Sequence, residues 1–373
     1  MEWRQFELSY SVIIEEERTA LKMAERKTVT LRDVAKRAGV STATVSRVLN
    51  ASEYVSPEIQ DKVRQTIQEL GYYQNTVARS LKTNSTMTIG FVTADISNPY
   101  MITVAKAVED LLHDRHYNLL VCSTEGEPAR ELDYLRLLMG RNIDGLVLNG
   151  TGYNEDFVSE ISGKIPVILV HRRYPIQDTG GDLIDSDNED GTYNLTKHLL
   201  RFGHRDIFVI RGTPKASTNI ERYAGFVRAM KEAGIQVDDK YPFQYQGNFT
   251  LQSGYEAVEY MCNLATKPTA ILALNNTMAL GALECIRAKN MLVPENVSIA
   301  AYNNIEFIEL MTVRPTIHHI NPRDIGLAAG RALLERLDKG DLPNRDIIIE
   351  GYLIPGNAVS VPSEVQRNRG YTK

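Results

Sequence analysis

A short polar stretch of the chain carries side chains that are suited to contact with DNA. The Arg47 guanidinium can pair with O6 and N7 of guanine, and the Ala43 methyl can contact the methyl of thymine. Ser41, Ser46 and Asn50 offer hydroxyl and amide groups that can bind phosphate oxygens. No bulky side chain blocks a groove, so these residue types predict a surface that enters the major groove.

Two short helices must position these groups. Leu31, Val34 and Ala35 recur on one side of a first helix, Gly39 permits a tight turn, and Ser41 can cap the helix that follows. The inward side of that second helix carries Val45, Val48 and Leu49. The spacing predicts a helix-turn-helix, although an ordinary helical hairpin with a solvated face has the same pattern.

The elements that follow favour the DNA-binding interpretation. Ser56 and Pro57 are the N-cap and first turn of a predicted third helix that runs to about Leu70 and ends at Gly71. Residues 75–82 then form about two turns of predicted helix, which is too short to be stable alone in water. Three helices make a small headpiece, and the short helix is expected to order only when something holds it.

Charge separates the chain into two parts. Residues 27–82 hold nine Lys and Arg against five Asp and Glu, whereas residues 83–373 hold 29 against 36, and the whole chain has a net charge of -5. Only the headpiece is basic, as expected of a part that binds DNA. The remaining residues, about 290, suffice for two subdomains with cores of their own.

Composition limits the remaining classes of function. Cys122, Cys262 and Cys285 are widely spaced in apolar contexts, which indicates neither a disulfide framework nor a zinc site. No run of 18 apolar residues is present, and residues 1–26 contain three consecutive glutamates in place of a signal-peptide core. We therefore expect a cytoplasmic protein without a membrane partner.

Beyond Ser85, buried strands alternate with amphipathic helices. Predicted strands cover Thr88–Thr93, Asn118–Cys122, Gly145–Leu148 and Pro166–Val170 in a first set, and Asp206–Ile210, Thr269–Leu274 and Val297–Ala301 in a second. Predicted helices lie near 99–115, 128–141, 154–161, 190–202, 218–233, 251–264 and 277–289. This order predicts an α/β core of two doubly wound parallel-sheet subdomains, whose ligands bind at the carboxyl ends of the strands.

The motifs resemble those of the bacterial lactose and galactose repressor (LacI/GalR) family. Residues 29–50, Tyr54-Val-Ser-Pro, Leu70-Gly-Tyr and Val77-Ala-Arg-Ser-Leu81 carry the resemblance, which extends to about Ser360. It implies that Thr42, Ala43 and Arg47 read bases. It places Ser41, Thr44, Ser46, Asn50, Tyr54 and Ser56 near phosphates. It also implies a hinge that folds in the minor groove as a dimer, with Ala78, Leu81 and Lys82 at the groove and Leu81 wedged into a central base step.

The resemblance also implies a domain organisation, with a core like that of periplasmic sugar-binding proteins. Residues 27–74 are the headpiece, 75–86 the hinge helix and linker, 87–362 an effector-binding and dimerisation core, and 363–373 a polar tail. The first subdomain is expected at 87–187 and 317–344, and the second at 188–316 and 345–362. Residues 1–26 are expected either to be a disordered extension or to result from a non-native translation start, because Met23 stands where family members begin.

Effector-binding residues are expected where the parallel strands end. Asp95 opens the segment after the first strand, where Asn98 can cap a helix. By the resemblance, Tyr100 and Met101 match ligand-packing positions, and Arg222 matches an arginine that grips ligand hydroxyls or carboxylates. These residues predict a site for a small molecule.

Three positions depart from the family pattern and make the cleft more positive. Asn275-Asn276 replaces Asn-Asp, Asn303 replaces the Asp of Gly-Tyr-Asp, and His171, followed by Arg172, stands where an Asp is common. An amide keeps one acceptor, adds a donor and removes the charge of a carboxylate. The departures predict an anionic effector, such as a sugar phosphate or sugar acid, and a neutral sugar with another hydroxyl pattern is the alternative.

Neither an enzyme nor a cofactor-binding protein is indicated. No catalytic Ser/His/Asp order, phosphate-binding glycine loop or metal-spaced cluster is present, and His318 and His319 are adjacent strand residues that point to opposite faces. The prediction is therefore a ligand-responsive repressor of carbohydrate-utilisation genes that binds a double-stranded palindromic operator as a homodimer. A solute-binding protein of a sugar transport system is the alternative, and it accounts for the core alone.

Overall fold

In the computed structural model of the chain, the described residues are 29–50, 54–72 and 85–362. They belong to two units along the chain, Met1–Lys82 and Thr83–Lys373. The predicted hinge residues Ala78, Leu81 and Lys82, the extension at 1–26 and the tail at 363–373 lie outside the described residues.

The described part of the headpiece is helical. Its helices are α1 (Leu31–Ala38), α2 (Thr42–Asn50) and α3 (Pro57–Leu70). A capping box begins α1, in which the Thr30 hydroxyl accepts from the Asp33 backbone N–H at 3.3 Å and the Asp33 carboxylate accepts from the Thr30 N–H at 2.9 Å. Gly39 takes a φ of 68°, which glycine adopts without a steric penalty, and so allows the tight turn into α2.

A small apolar core joins these helices. Val34, Ala38, Val45 and Val63 are fully buried, and partly buried apolar side chains pack around them. Val48 and Leu49 are among those side chains, as the helical spacing predicts. The helix-turn-helix is therefore confirmed, and its inward face leaves the polar side of α2 at the surface.

Strands alternate with helices through residues 85–362. The strands are β1 (Thr88–Thr93), β2 (Asn118–Ser123), β3 (Gly145–Asn149), β4 (Val167–Val170), β5 (Gly181–Ser186), β6 (Ile207–Arg211), β7 (Gln244–Gln246), β8 (Ala270–Ala273), β9 (Ser298–Tyr302), β10 (Thr316–His319), β11 (Asp346–Ile349) and β12 (Tyr352–Ile354). The helices are α4 (Pro99–His113), α5 (Pro128–Gly140), α6 (Glu155–Ser162), α7 (Asn188–Arg201), α8 (Ser217–Glu232), α9 (Leu251–Asn263), α10 (Asn276–Ala288) and α11 (Pro322–Lys339), with a 3-10 turn at Ile308–Leu310.

The strands form two six-stranded sheets, which confirms the predicted fold class. The first has the order β11-β5-β4-β3-β1-β2 and is parallel, and the second has the order β12-β10-β9-β8-β6-β7, with β12 antiparallel to β10. Strands such as β4 and β8 are buried along their whole length, because helices cover both faces of a parallel sheet. Helix α11 packs against α4, α7 against α8, and α9 against α10.

Two subdomain boundaries differ from the expectation. Residues 317–344 are expected in the first subdomain, but β10 pairs with β9 of the second sheet, with Thr316 opposite Ala300. Residues 345–362 are expected in the second subdomain, but β11 pairs with β5 of the first, with Asp346 opposite Leu183. The assignments of β10 and β11 are wrong, because the apolar pattern of a short strand does not identify the sheet edge on which it pairs. The expected places of α11, which packs on strands of the first sheet, and of β12, which pairs in the second, agree with the structure.

Three crossovers join the subdomains, between β5 and α7, between β10 and α11, and between β11 and β12. Asp187 in the first crossover accepts from the Gly351 N–H in the third at 3.1 Å, and its carboxylate lies 2.8 Å from Nε2 of the buried His318, close to the second. Gly191 and Gly351 leave room for this imidazole, because a Cβ at either position would lie 2.4 Å from His318 Nε2. One carboxylate thus contacts the chain at every crossover.

Candidate functional site

A cavity of about 620 Å³ lies between the two sheets, at the carboxyl ends of their parallel strands. Sheets of this kind bind ligands at that edge. The lining includes all nine residues that are predicted to contact an effector, namely Asp95, Tyr100, Met101, His171, Arg172, Arg222, Asn275, Asn276 and Asn303. The fold therefore brings the predicted site residues of both subdomains around one cavity.

The start of α4 forms one wall. Asn98 caps this helix by accepting from the Tyr100 backbone N–H at 3.1 Å, and Asp95 accepts from the Ser97 N–H at 2.8 Å in the preceding turn. Tyr100 and Met101 are buried behind the cap, and the Tyr100 ring lies 5.5 Å from the His171 ring between centroids. Burial raises the pKa of the Tyr100 hydroxyl well above its ordinary value, so this side chain is neutral.

His171 and Arg172 follow β4 and are both buried. His171 has a φ of 64°, which is uncommon for a residue other than glycine, and its Nδ1 lies 3.4 Å from Asp185 Oδ1. Arg172 donates to the Gly150 carbonyl oxygen, and its guanidinium carbon lies 5.5 Å from the centroid of the Phe249 ring. Burial lowers the pKa of Arg172, and repulsion by another buried arginine contributes in the same direction.

That second arginine, Arg222, stands in the opposite wall on α8. Its Nε donates to Asn188 Oδ1 at 2.8 Å, and a terminal nitrogen donates to the Leu274 carbonyl oxygen at 2.8 Å. Its guanidinium carbon lies 3.9 Å from the centroid of the Tyr302 ring. Asn188 also donates to Asp185 Oδ1 at 3.0 Å, so a buried carboxylate lies one side chain behind the arginine. Neutral groups thus hold Arg222 in a fixed position.

The three predicted amides have different partners. Asn275 caps α10 by accepting from the Met278 N–H at 2.8 Å and donates to the Phe249 carbonyl oxygen at 3.2 Å. Asn276 hydrogen-bonds across the cleft to Asn98. Asn303 has a φ of 80°, and its Oδ1 accepts from the backbone N–H of the following residue. Asn275 therefore has a local structural role, whereas Asn276 joins the two subdomains.

The charges of the lining are unevenly placed. The buried cationic side chains are Arg172 and Arg222, and the carboxylates of Asp95, Glu125 and Glu306 belong to residues that remain accessible to solvent. Two buried carboxylates, Glu131 and Asp185, lie behind the lining. A ligand anion in the cavity would meet desolvated basic groups, where charge-assisted hydrogen bonds are strong.

Some lining residues are absent from the sequence prediction, notably Asn149, Thr151, Thr218 and Phe249. Asn149 ends β3 and Thr151 follows it, so the rule that cleft residues lie at the carboxyl ends of parallel strands was sufficient to find them. Phe249 follows β7, a short polar strand that no apolar run indicates. Its ring packs on Gly212, where a Cβ would lie 2.0 Å from the ring, and its face lies under the Arg172 guanidinium.

The headpiece presents the predicted base-reading residues on one helix. Thr42, Ala43 and Arg47 are exposed on α2, and the last two are one helical turn apart on the same face. Ser41 caps α2 as predicted, since its Oγ accepts from the Thr44 backbone N–H at 3.0 Å. The predicted phosphate contacts otherwise lie along α2 or in the segment that leads to α3, where the Tyr54 side chain is 89% exposed.

Within the described ranges, no group of three or more His, Cys, Asp or Glu side chains is placed to hold a metal ion. His318 faces Asp187, whereas His319 lies 3.2 Å from Asn304 between Nδ1 and Oδ1, so the two imidazoles have separate partners. None of the helices described in the structure is long and apolar enough to cross a membrane.

A helix-turn-helix headpiece and a two-subdomain core around a polar cavity define a DNA-binding regulator that responds to a small ligand. Family models support both parts: one described as bacterial regulatory proteins, lacI family, matches residues 30–75, and one described as a periplasmic binding protein-like domain matches residues 196–359. The chain belongs to the LacI family of bacterial regulatory proteins.

Relatives of known function are repressors. The chain is 34% identical over 310 residues to the HTH-type transcriptional repressor PurR of Pasteurella multocida, which covers 83% of this chain and 92% of that protein. It is 35% identical over 309 residues to PurR of Actinobacillus pleuropneumoniae serotype 3, and this alignment covers 83% of this chain and 91% of that protein. These matches favour a regulator over an enzyme or a solute-binding transport protein.

Solved structures of similar proteins agree with the fold. The Lac repressor bound to ONPG in its repressed state superposes with a TM-score of 0.74 at 25% identity, covering 89% of this chain and 100% of that chain. The complex of the transcriptional regulator CelR with cellobiose superposes with a TM-score of 0.65 at 25% identity and the same coverage.

Proposed function

We propose that this chain represses carbohydrate-utilisation genes and that an anionic, sugar-type effector in the core cavity controls its affinity for a palindromic operator. The observation that carries the effector class is the pair of buried arginines on opposite walls. Arg172 and Arg222 are both buried, and they donate to carbonyl and amide oxygens. An anion between them would compensate two desolvated positive charges.

The proposed roles follow from the donors at each position. Each guanidinium offers paired N–H groups that match a phosphate or carboxylate, and the buried His171 can donate a further hydrogen bond. Asn303 and Thr151 provide groups that both donate and accept, which suits sugar hydroxyls. The Phe249 ring and Met101 offer apolar surface for the carbon skeleton.

Sugar complexes of similar regulators support the carbohydrate class. CelR is described with cellobiose, and the Lac repressor with ONPG. The two structures share the fold of this chain and 25% of its sequence. A sugar that carries a phosphate or carboxylate group belongs to that ligand class and also matches the basic lining of this cavity.

The proposed DNA-binding mechanism requires a homodimer. Each headpiece reads one half-site through Thr42, Ala43 and Arg47, so two copies related by a two-fold axis read a palindrome. Two hinge segments side by side would then order in the minor groove, with Leu81 as the apolar wedge and Ala78 and Lys82 beside it. Closure of the core cleft changes the spacing of the hinges, which couples the effector to the operator.

Calorimetric titration with glucose, glucose 6-phosphate and gluconate tests the effector class. We expect a charged member to bind about tenfold or more tightly than glucose, because hydrogen bonds to charged groups are the stronger ones. Arg172→Met and Arg222→Met should each abolish that preference. Arg331→Met removes an exposed arginine of α11 and should leave it unchanged. Tighter binding of the neutral sugar by the unmodified protein would overturn the anionic class.

A further inference from the structure

Two asparagines join the lips of the cleft. Asn98 precedes α4 in the first subdomain, and Asn276 begins α10 in the second. Asn276 Nδ2 donates to Asn98 Oδ1 at 3.2 Å, and Asn98 Nδ2 donates to Asn276 Oδ1 at 3.4 Å and to Thr277 Oγ1 at 3.3 Å. We propose that this reciprocal amide pair is a latch that holds the cleft closed before an effector binds.

The latch lies away from the crossovers that join the subdomains. The three crossovers leave the first sheet at β5 and β11 and the second at β10 and β12, which form one side of each sheet. Asn98 follows β1, which is four positions from β11, and Asn276 follows β8, which is three positions from β12. Rotation about the crossovers therefore moves these two residues apart by a larger distance than it moves residues that lie near the crossovers.

A second contact closes the same side of the cleft. The Lys215 ammonium lies 4.7 Å from the centroid of the Tyr153 ring, and a Cβ on Gly152 would lie 3.1 Å from the Lys215 carbonyl oxygen. Lys215 follows β6 in the second subdomain, and Tyr153 follows β3 in the first. The two subdomains thus touch beside the cavity as well as at its mouth.

The chemistry of the pair requires an amide at both positions. Asn98 Oδ1 already accepts from the Tyr100 N–H, and it accepts in addition from Asn276 Nδ2. An aspartate at position 276 offers acceptors only, so it would place two oxygens against each other where the structure has a donor and an acceptor. The aspartate carboxylate would also stabilise the first turn of α10, because a negative charge at a helix N-terminus interacts favourably with the helix dipole. This substitution therefore weakens the latch without weakening the helix.

The latch gives Asn276 a role other than ligand binding, because its amide is engaged with Asn98. An effector enters only when the cleft opens, so the strength of the latch sets the fraction of protein molecules whose cleft is open and can bind the effector. This inference rests on the proposed function only in taking the cavity as the effector site. The closed cleft, with Asn98 bonded to Asn276, is a property of the protein without ligand.

Hydrogen exchange measured by mass spectrometry on the full-length protein, with no ligand added, tests the latch. Asn276→Asp should speed exchange in peptides that span residues 94–103 and 274–281 by about threefold to tenfold, as loss of the one hydrogen bond that Asn276 Nδ2 donates implies. Asn98→Ser should do the same, because serine still caps α4 but is too short to reach Asn276. The control is Asn142→Asp, the same substitution at an exposed position between α5 and β3.

Faster exchange in both lip peptides of both variants, with the control like the unmodified protein and melting temperatures preserved, supports the latch. Exchange in both variants as slow as in the control overturns it. Faster exchange throughout the core, including the buried strand β8, also overturns it, because that pattern reports global destabilisation. Failure of the calorimetric titration leaves this result intact, since no sugar is present.

Discussion

Single side chains at the base of the cleft serve both subdomains. Asn188 accepts from Arg222 and donates to Asp185 and to Glu221, the last at 2.9 Å, while Asp185 lies beside His171. Removal of Asn188 leaves each of these partners with one hydrogen bond fewer, and an unsatisfied buried group costs more than the bond itself contributes. The positions of the cavity's basic groups therefore depend on residues that no ligand touches.

In the headpiece, Arg47 should carry the largest share of base discrimination. Arg47→Ala should lower affinity for the preferred operator by about 1–3 kcal/mol and relax specificity at one base pair of each half-site, because a guanidinium bound to guanine is lost. Selection from a random palindromic library, followed by anisotropy titration, measures both effects. Arg64→Ala, an exposed arginine on α3, should keep the selected sequence. An unchanged selected sequence for Arg47→Ala would contradict this role.

His204 should make stability depend on pH. Its side chain is fully buried, with Nδ1 2.8 Å from Thr269 Oγ1, and burial lowers its pKa from 6.5 to about 4. Between these values the unfolded chain binds a proton that the folded chain does not, so the free energy of unfolding falls as the pH falls. From pH 7 to pH 5 this residue accounts for about 2 kcal/mol.

Urea denaturation at both pH values measures this contribution. His204→Asn should show a decrease from pH 7 to pH 5 that is about 2 kcal/mol smaller than that of the unmodified protein. His113→Asn, at an exposed position, should leave the decrease unchanged. Equal pH dependence of all three proteins would refute the role of His204.

Among the elements, α11 is tied to the edge of the first sheet by a buried ion pair. Arg336 donates to both carboxylate oxygens of Asp182 in β5, at 3.1 and 2.7 Å, and to the carbonyl oxygens of four further residues, Thr179, Gly181, Leu342 and Pro343. Arg345, which leads into β11, also binds Asp182 at 2.8 Å. This network holds the return of the chain from α11 to β11.

Arg336→Met should therefore destabilise the core strongly. The substitution leaves Asp182 buried with one arginine fewer and several carbonyl oxygens without donors, so we expect the free energy of unfolding to fall by about 3–5 kcal/mol. Arg331→Met on the exposed side of the same helix should change it by less than about 0.5 kcal/mol. Denaturant unfolding at pH 7 compares the two, and similar values would show that the network contributes little.

For the whole molecule, operator and effector should affect each other reciprocally. If glucose 6-phosphate changes operator affinity by some factor, operator DNA must change the affinity for glucose 6-phosphate by the same factor, typically about 5–150-fold. Anisotropy titrations with and without the sugar phosphate give the first factor, and calorimetry with and without operator gives the second. Factors that both equal one would exclude coupling through this ligand.

Much of the candidate site could be predicted because its signals are local. Gly39, the cap at Ser41 and the apolar spacing of α1 and α2 are read within about one helical turn of each other, so the helix-turn-helix is confirmed. The cleft residues could be placed because parallel strands direct the segments after them to one edge. β5 could not be predicted from pattern, since its Asp182 and Asp185 are buried polar residues whose partners are distant in sequence.

The sequence by itself determined the class of protein, the helix-turn-helix and nine of the residues that line the cavity, because caps, turns and strand ends depend on neighbours in the chain. The tertiary structure alone decided that β10 belongs to the second sheet and β11 to the first, that Asp187 contacts all three crossovers, and that Asn98 faces Asn276. These contacts join residues far apart in the chain. Their energies depend on which surfaces meet, and no local pattern encodes that choice.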